Sequence, residues 1–141
     1  MRSLSIYSGI CNRKEQAMQK HVVHERDVEY VKLTGRDHKM IVGPGKAMEA
    51  QNMAFGVADF PPNAHAPAHD HSNAEEIIYV LSGYGEIYFD GVPEKVEPGS
   101  VAYVPVGVEH SINNQSDEVM KVVYVFSPPV AQGSYERKGD R

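Results

Sequence analysis

Short runs in which apolar and polar side chains alternate fill the chain from Tyr30 to about Phe126, divided by glycine, proline and Asp-Gly punctuation. Alternation with a period of two marks a strand with one face in a core and the other toward water. Turn signals at such short intervals belong to a β-sandwich or barrel. The pattern predicts strands near 30–34, 39–42, 52–60, 67–71, 75–81, 85–89, 93–96, 101–104, 109–113 and 119–126. Asp90-Gly91, between Ile87-Tyr88-Phe89 and Val92, predicts a hairpin, because the turns that match strand twist require positive φ. Pro61-Pro62-Asn63 and Glu97-Pro98-Gly99 end strands, since proline brings no N–H to a ladder. The first thirty residues are polar and weakly patterned, with Asn12–Lys20 the one plausible helical stretch. Residues 127–141 read as a tail, mobile or draped on a partner. The expected division is an N-terminal extension 1–30, a β-barrel domain 31–126 and a C-terminal tail 127–141.

Composition narrows the class of partner. At 141 residues, with 41% hydrophobic and 23% charged side chains, the chain fits one globular domain. A net charge of −5 argues against a nucleic-acid backbone, which calls for a basic stripe. The longest apolar runs, Ile77–Leu81 and Val122–Phe126, are strand-sized, and no basic amphipathic helix addresses a membrane surface. Cys11 is the single cysteine, so no intrachain disulfide is possible, and the N-terminus lacks an apolar signal core. The expected compartment is the cytoplasm.

Two framed clusters carry the chemistry. The first reads His69-x-His71-x4-Glu76-x6-Gly83 and the second Gly99-x5-Pro105-x-Gly107-x2-His110-x3-Asn114. Spacing for spacing, this resembles both halves of the cupin signature, over roughly Met53 to Phe126. The resemblance implies a small single-domain cupin, an all-β jelly-roll or double-stranded β-helix barrel. It also implies that His69, His71, Glu76 and His110 together hold one divalent metal. Side-chain alternation is compatible with that. His69 and His71 point one way and Asp70 the other, while Glu76 shares a face with Ile78 and Val80. His110 arrives from a separate strand, aimed by the Pro105-x-Gly107 turn. Gly83, Gly99 and Gly107 serve turn geometry. A bulge would shift the carboxylate assignment to Glu75; the count from Gly83 selects Glu76. Imidazoles with a carboxylate suit Zn, Mn, Fe, Ni, Co or Cu, and four protein ligands on an octahedral ion leave two positions open.

Further candidates surround this cluster. His65, on the loop before His69, is a candidate general base, with an exposed loop histidine as the competing reading. Arg36 and His38 alternate onto one face that suits a carboxylate or phosphate, although Arg36-Asp37-His38 reads better as a solvated turn. Tyr79, Tyr84, Tyr88, Tyr103 and Tyr124 lie in or near strands, and an inward one would position substrate or supply a proton. Asn114-Gln115-Ser116 matches a glycosylation sequon by chance, since it coincides with the end of the second motif.

The leading expectation is a metal-dependent enzyme acting on a small oxygen-rich substrate, a sugar, keto or hydroxy acid, or polyketide-like carbonyl. Isomerisation, lyase, cyclase or decarboxylation chemistry would follow metal polarisation. A dioxygenase using Fe, Mn, Ni or Cu is one alternative, and a metal-containing binding or sensing module without turnover is another. A homodimer is expected, partly because Val119–Phe126 is a long strand that would benefit from cover.

Overall fold

The computed structural model describes residues 20–131, and within them the chain is all-β. Its strands are β1 (Val31–Leu33), β2 (Arg36–Val42), β3 (Ala54–Phe60), β4 (Glu75–Ser82), β5 (Gly85–Phe89), β6 (Val92–Val96), β7 (Val101–Val104), β8 (His110–Asn113) and β9 (Met120–Ser127). The one helical element among the described residues is a 3-10 turn at Glu25–Asp27. Cys11 and the helix expected over Asn12–Lys20 lie outside the described residues, Lys20 excepted.

Two antiparallel sheets form the barrel, one ordered β1-β2-β3-β9-β4-β7 and the other β6-β5-β8. Alternation decides which side chains enter it. Along β4, Glu76, Ile78 and Val80 are buried while Glu75, Ile77, Tyr79 and Leu81 face out. β9 turns Met120, Val122, Tyr124 and Phe126 inward on the same rule. Phe60, Ile78, Ile87, Val80 and Phe126 are buried almost completely. Burying such a side chain contributes about 1.5–3 kcal/mol before conformational entropy is charged against it. Asp90 and Gly91 carry φ of 48° and 81°, so β5 and β6 are joined by the positive-φ hairpin that their sequence requires.

Four expectations change. Residues 67–71 are not a strand: the segment touches the second sheet only at isolated bridges, His65 to Asn113 and His69 to His110. Pro67 lies between those bridges and has no N–H with which to continue a ladder. Second, β2 begins at Arg36, so Arg36-Asp37-His38 is no solvated turn; Arg36 and His38 are buried. Third, β9 is flanked on both sides, by β3 and β4, and the edges of its sheet are β1 and β7. Fourth, the tail begins later than expected: Ser127 completes β9, and Val130 packs against the core. On the extension, Glu25 pairs with Lys121 of β9 at 2.6 Å.

Candidate metal centre

Glu76 is where the two sheets meet chemically. It projects inward from β4, opposite Phe126 on β9 and Val104 on β7, and is 6% exposed. His110 opens β8 in the other sheet and places its Nε2 2.8 Å from Glu76 Oε2. His71 Nε2 lies 3.3 Å from that same oxygen. The ring of His69 sits 4.4 Å from that of His110 and 5.1 Å from that of His71, centroid to centroid. One ligand atom from each of His69, His71, Glu76 and His110 falls within 4.8 Å of all the others. The four residues singled out by their spacing are therefore brought together, and Glu75 is not among them. Glu75 faces outward, where it accepts a hydrogen bond from the Tyr103 hydroxyl at 2.7 Å.

Backbone pairing sets this convergence. His69 and His110 exchange N–H···O bonds of 2.9 and 2.8 Å, which locks them directly opposite one another. The Gly107 N–H donates to the His71 carbonyl at 2.8 Å, tying the turn before His110 to the first ligand segment. That turn holds Gly107 at φ 76°, a conformation costly for any residue with a Cβ. The His71 ring packs edge-on against Phe126 at 4.8 Å. Asn114, which ends the second motif, is fully buried, and its amide donates to the carbonyls of Phe60, Pro61 and Glu118. Its role is to pin the exit of β8, and an amide so enclosed is no glycosylation acceptor in the folded chain.

The donor set fits a divalent transition ion. His69 Nδ1 lies 2.9 Å from the Pro67 carbonyl and His110 Nδ1 lies 3.0 Å from the Val108 carbonyl. A carbonyl only accepts, so each Nδ1 carries the hydrogen and each Nε2 is the ligand atom when the ring is neutral. Backbone carbonyls fix orientation and tautomer in this way at many metal-binding histidines. Electrostatics agree with the geometry. Burial pushes the His69 imidazole down to about 4, with His110 adding to the effect. For Glu76 burial works upward, but hydrogen bonds from His110 and His71 outweigh it and bring the carboxyl down to about 2. His110 moves the opposite way: burial lowers it, and the Glu76 carboxylate more than reverses that. Glu76 is thus an anion holding a proton on His110, in the place where a bound cation would replace that proton.

The cavity beside this cluster runs from Glu76 and His69 to Arg36, His38 and Tyr124. Its volume is about 30 Å3, enough for a few small atoms such as one or two waters. His38 and Tyr124 stack, centroids 4.4 Å apart and planes 8° from parallel. The Tyr124 hydroxyl donates to the Lys39 carbonyl at 3.2 Å and lies 3.3 Å from His38 Nδ1. Gly56 makes room for it: a Cβ there would stand 2.1 Å from the Tyr124 oxygen and 2.2 Å from the Lys39 carbonyl oxygen. Burial, then Arg36, push His38 down to about 3, so its imidazole is neutral. His65, by contrast, is exposed and does not line the cavity, although its neighbour Ala66 does. Sequence reasoning paired Arg36 with His38 but placed them in solvent, and it left the inward tyrosine unchosen. The signals were the i, i+2 spacing of Arg36 and His38 and the position of Tyr124 between Val122 and Phe126.

The cupin domain family model matches residues 56–126, half of the chain, and the protein belongs to that family. The polyketide synthase CurC of Streptomyces cyaneus is 26% identical over 111 residues, 79% of this chain and 71% of that protein. The dimethylsulfoniopropionate lyase DddW of Ruegeria pomeroyi is 31% identical over 99 residues, 64% of this chain and 63% of that one. Among solved structures, the polyketide cyclase RemF of Streptomyces resistomycificus superposes with a TM-score of 0.68 at 24% identity, covering 86% of this chain and 89% of its own. That likeness carries the fold.

Proposed function

We propose that the protein is a metal-dependent enzyme acting on a small oxygen-rich substrate by proton-transfer chemistry of the lyase, cyclase, isomerase or decarboxylase kind. The observation that carries this reading is that one cavity is shared by two unlike sets of groups. At one end are His69 and Glu76 of the ligand cluster; at the other are Arg36, His38 and Tyr124, which belong to no ligand cluster. The presence of a polyketide cyclase and a lyase among the similar proteins supports an enzyme of this kind.

A divalent ion held by His69, His71, Glu76 and His110 would supply Lewis-acid polarisation of a substrate carbonyl or carboxylate. The chain's own groups do the rest. His38, unprotonated and stacked on Tyr124, is the candidate proton-transfer group, a weaker base than an ordinary histidine as long as burial and Arg36 hold it down. Tyr124, stacked on it and bonded to the Lys39 carbonyl, fixes the ring and carries the hydroxyl that exchanges a proton with it. The apolar lining, with Ile78, Ile112, Val122 and Phe126, excludes bulk water and strengthens each polar contact. The space is too small for any organic molecule unless side chains move aside, which favours small substrates. A panel of small hydroxy, keto and unsaturated acids, run with the metal-loaded protein in air and without oxygen, tests the reading. Turnover in both atmospheres, lost in His38→Gln, is the expected result. Strict dependence on oxygen would replace this proposal with dioxygenase chemistry, and binding of these ligands without turnover would replace it with a sensing module.

A further inference from the structure

A groove at the other end of the barrel from the ligand cluster has chemistry of its own, independent of any metal. β5 runs between the two: Phe89 is opposite His110 at one end, and Glu86 is opposite Asn113 at the other. Beside Glu86 a groove of about 540 Å3 opens to solvent among Tyr84, Lys95, Glu97, Ser100 and Gln115, with the buried Val96 in its wall. That volume falls within the range of small-molecule sites. Its polar groups are held in place before any ligand arrives. Glu86 Oε2 accepts hydrogen bonds from the Tyr88 hydroxyl at 2.8 Å and the Gln115 amide at 2.9 Å, which leaves Oε1 and the Gln115 carbonyl oxygen as acceptors. Ser100 Oγ accepts from the Glu97 N–H at 3.0 Å, so its own hydrogen is there to donate, as are those of Lys95. Acceptors and donors are both present, the combination a hydroxyl satisfies because it accepts and donates at once. Two carboxylates, Glu86 and Glu97, stand against one ammonium, Lys95, which disfavours phosphate and other anions. An extended peptide is a poor fit, because the neighbouring edge strand β6 carries Pro93, which brings no N–H, and the charged pair Glu94-Lys95. Tyr84, 57% exposed, offers an aromatic face with a polar tip. We infer that this groove binds a short neutral oligosaccharide, with the C–H face of a sugar ring on Tyr84 and its hydroxyls on Glu86, Gln115, Glu97 and Ser100.

The test is an amide NMR titration of the full, isotope-labelled, metal-free chain with four disaccharides: maltose, cellobiose, mannobiose and diacetylchitobiose. Saturable binding of at least one of them in the millimolar range is expected. The shifts should centre on Tyr84–Glu86, Lys95–Glu97 and Gln115, with none comparable at His69, His71 or His110. Tyr84→Ala should weaken binding by roughly tenfold or more, and Tyr84→Phe, which keeps the ring, should retain most of it. Absence of a saturable shift with all four sugars, shifts centred on the ligand cluster, or an affinity unchanged in Tyr84→Ala would overturn the assignment. Spermidine and inorganic phosphate serve as charged controls in the same titration. If either binds this groove more tightly than every sugar, the site belongs to a charged ligand and the inference fails.

Discussion

Glu76 Oε2 lies 2.8 Å from His110 Nε2, although thirty-four residues separate them and they belong to different sheets. In the metal-free protein this contact is a carboxylate holding a proton on an imidazole, so the His110 ring titrates above its usual 6.5. Glu76→Gln removes the anion and leaves burial as the main influence. NMR titration of the His110 ring should then show its pKa falling below 6.5. An unchanged titration would mean that the two groups are not in contact in solution.

Acid stability follows from three buried groups acting in one direction. His69 and His38 are held down to about 4 and about 3, and Glu76 to about 2. Each favours the fold above its ordinary value and loses that contribution as pH falls through its folded value. His110, raised, favours the fold below 6.5 and loses its contribution as pH rises past its folded value. Metal-free protein should therefore unfold most readily in urea on the acid side, with the loss beginning as pH drops below 6.5 and deepening toward 2. Replacing His38 by Gln, which cannot charge, should flatten the upper part of that loss. A wild-type profile level from pH 7 to 3 contradicts the burial assigned to these rings.

Gly56 and Tyr124 form a matched pair across β3 and β9. Gly56→Ala puts a methyl group into the Tyr124 hydroxyl and the Lys39 carbonyl at once, and only one of those is a side chain. The expected cost is about 2–3 kcal/mol in chemical denaturation, in the range for overpacking a filled core. Tyr124→Phe removes a hydroxyl and a hydrogen bond to the buried Lys39 carbonyl, a milder change of about 1 kcal/mol. Its larger effect should fall on turnover. A Gly56→Ala variant as stable as the parent would show that the phenol does not lie where it is described.

How much of this was legible beforehand depends on how local each signal is. Strand-sized runs of β-branched and aromatic residues placed β4 and β9 within a residue or two, and the burial along both strands then alternates with the period of two that a strand imposes. The ligand cluster was legible because glycine and proline positions fix the turns that aim it. Arg36-Asp37-His38 was not, since charged residues in a strand give no hydrophobic alternation and their burial depends on a cavity built by distant strands. The strand expected at 67–71 failed because Pro67 breaks a ladder that extended backbone alone would suggest. The place of β9 between β3 and β4 is a matter of topology, which strand length does not encode.

We propose that the protein is a homodimer. Its edge strand β7 exposes Val101 and Tyr103, which align with exposed Tyr79 and Ile77 on β4. An edge with no neighbouring strand among the described residues, bordered by an apolar face, suits pairing with an identical copy about a two-fold axis. Sedimentation should give twice the 15.6 kDa chain mass, and Val101→Glu should halve it. A wild-type monomer at micromolar concentration contradicts the proposal.

Metal-dependent function requires one cation seated among the three imidazoles and one carboxylate of His69, His71, His110 and Glu76. Elemental analysis of protein purified without chelator or immobilised metal measures it directly, in the wild type and in His110→Ala. The expected result is close to one divalent transition ion per wild-type chain and a loss of most of it in the variant, with both chains folded. Wild-type protein that takes up no such ion, or a variant that retains it undiminished, would contradict the assignment.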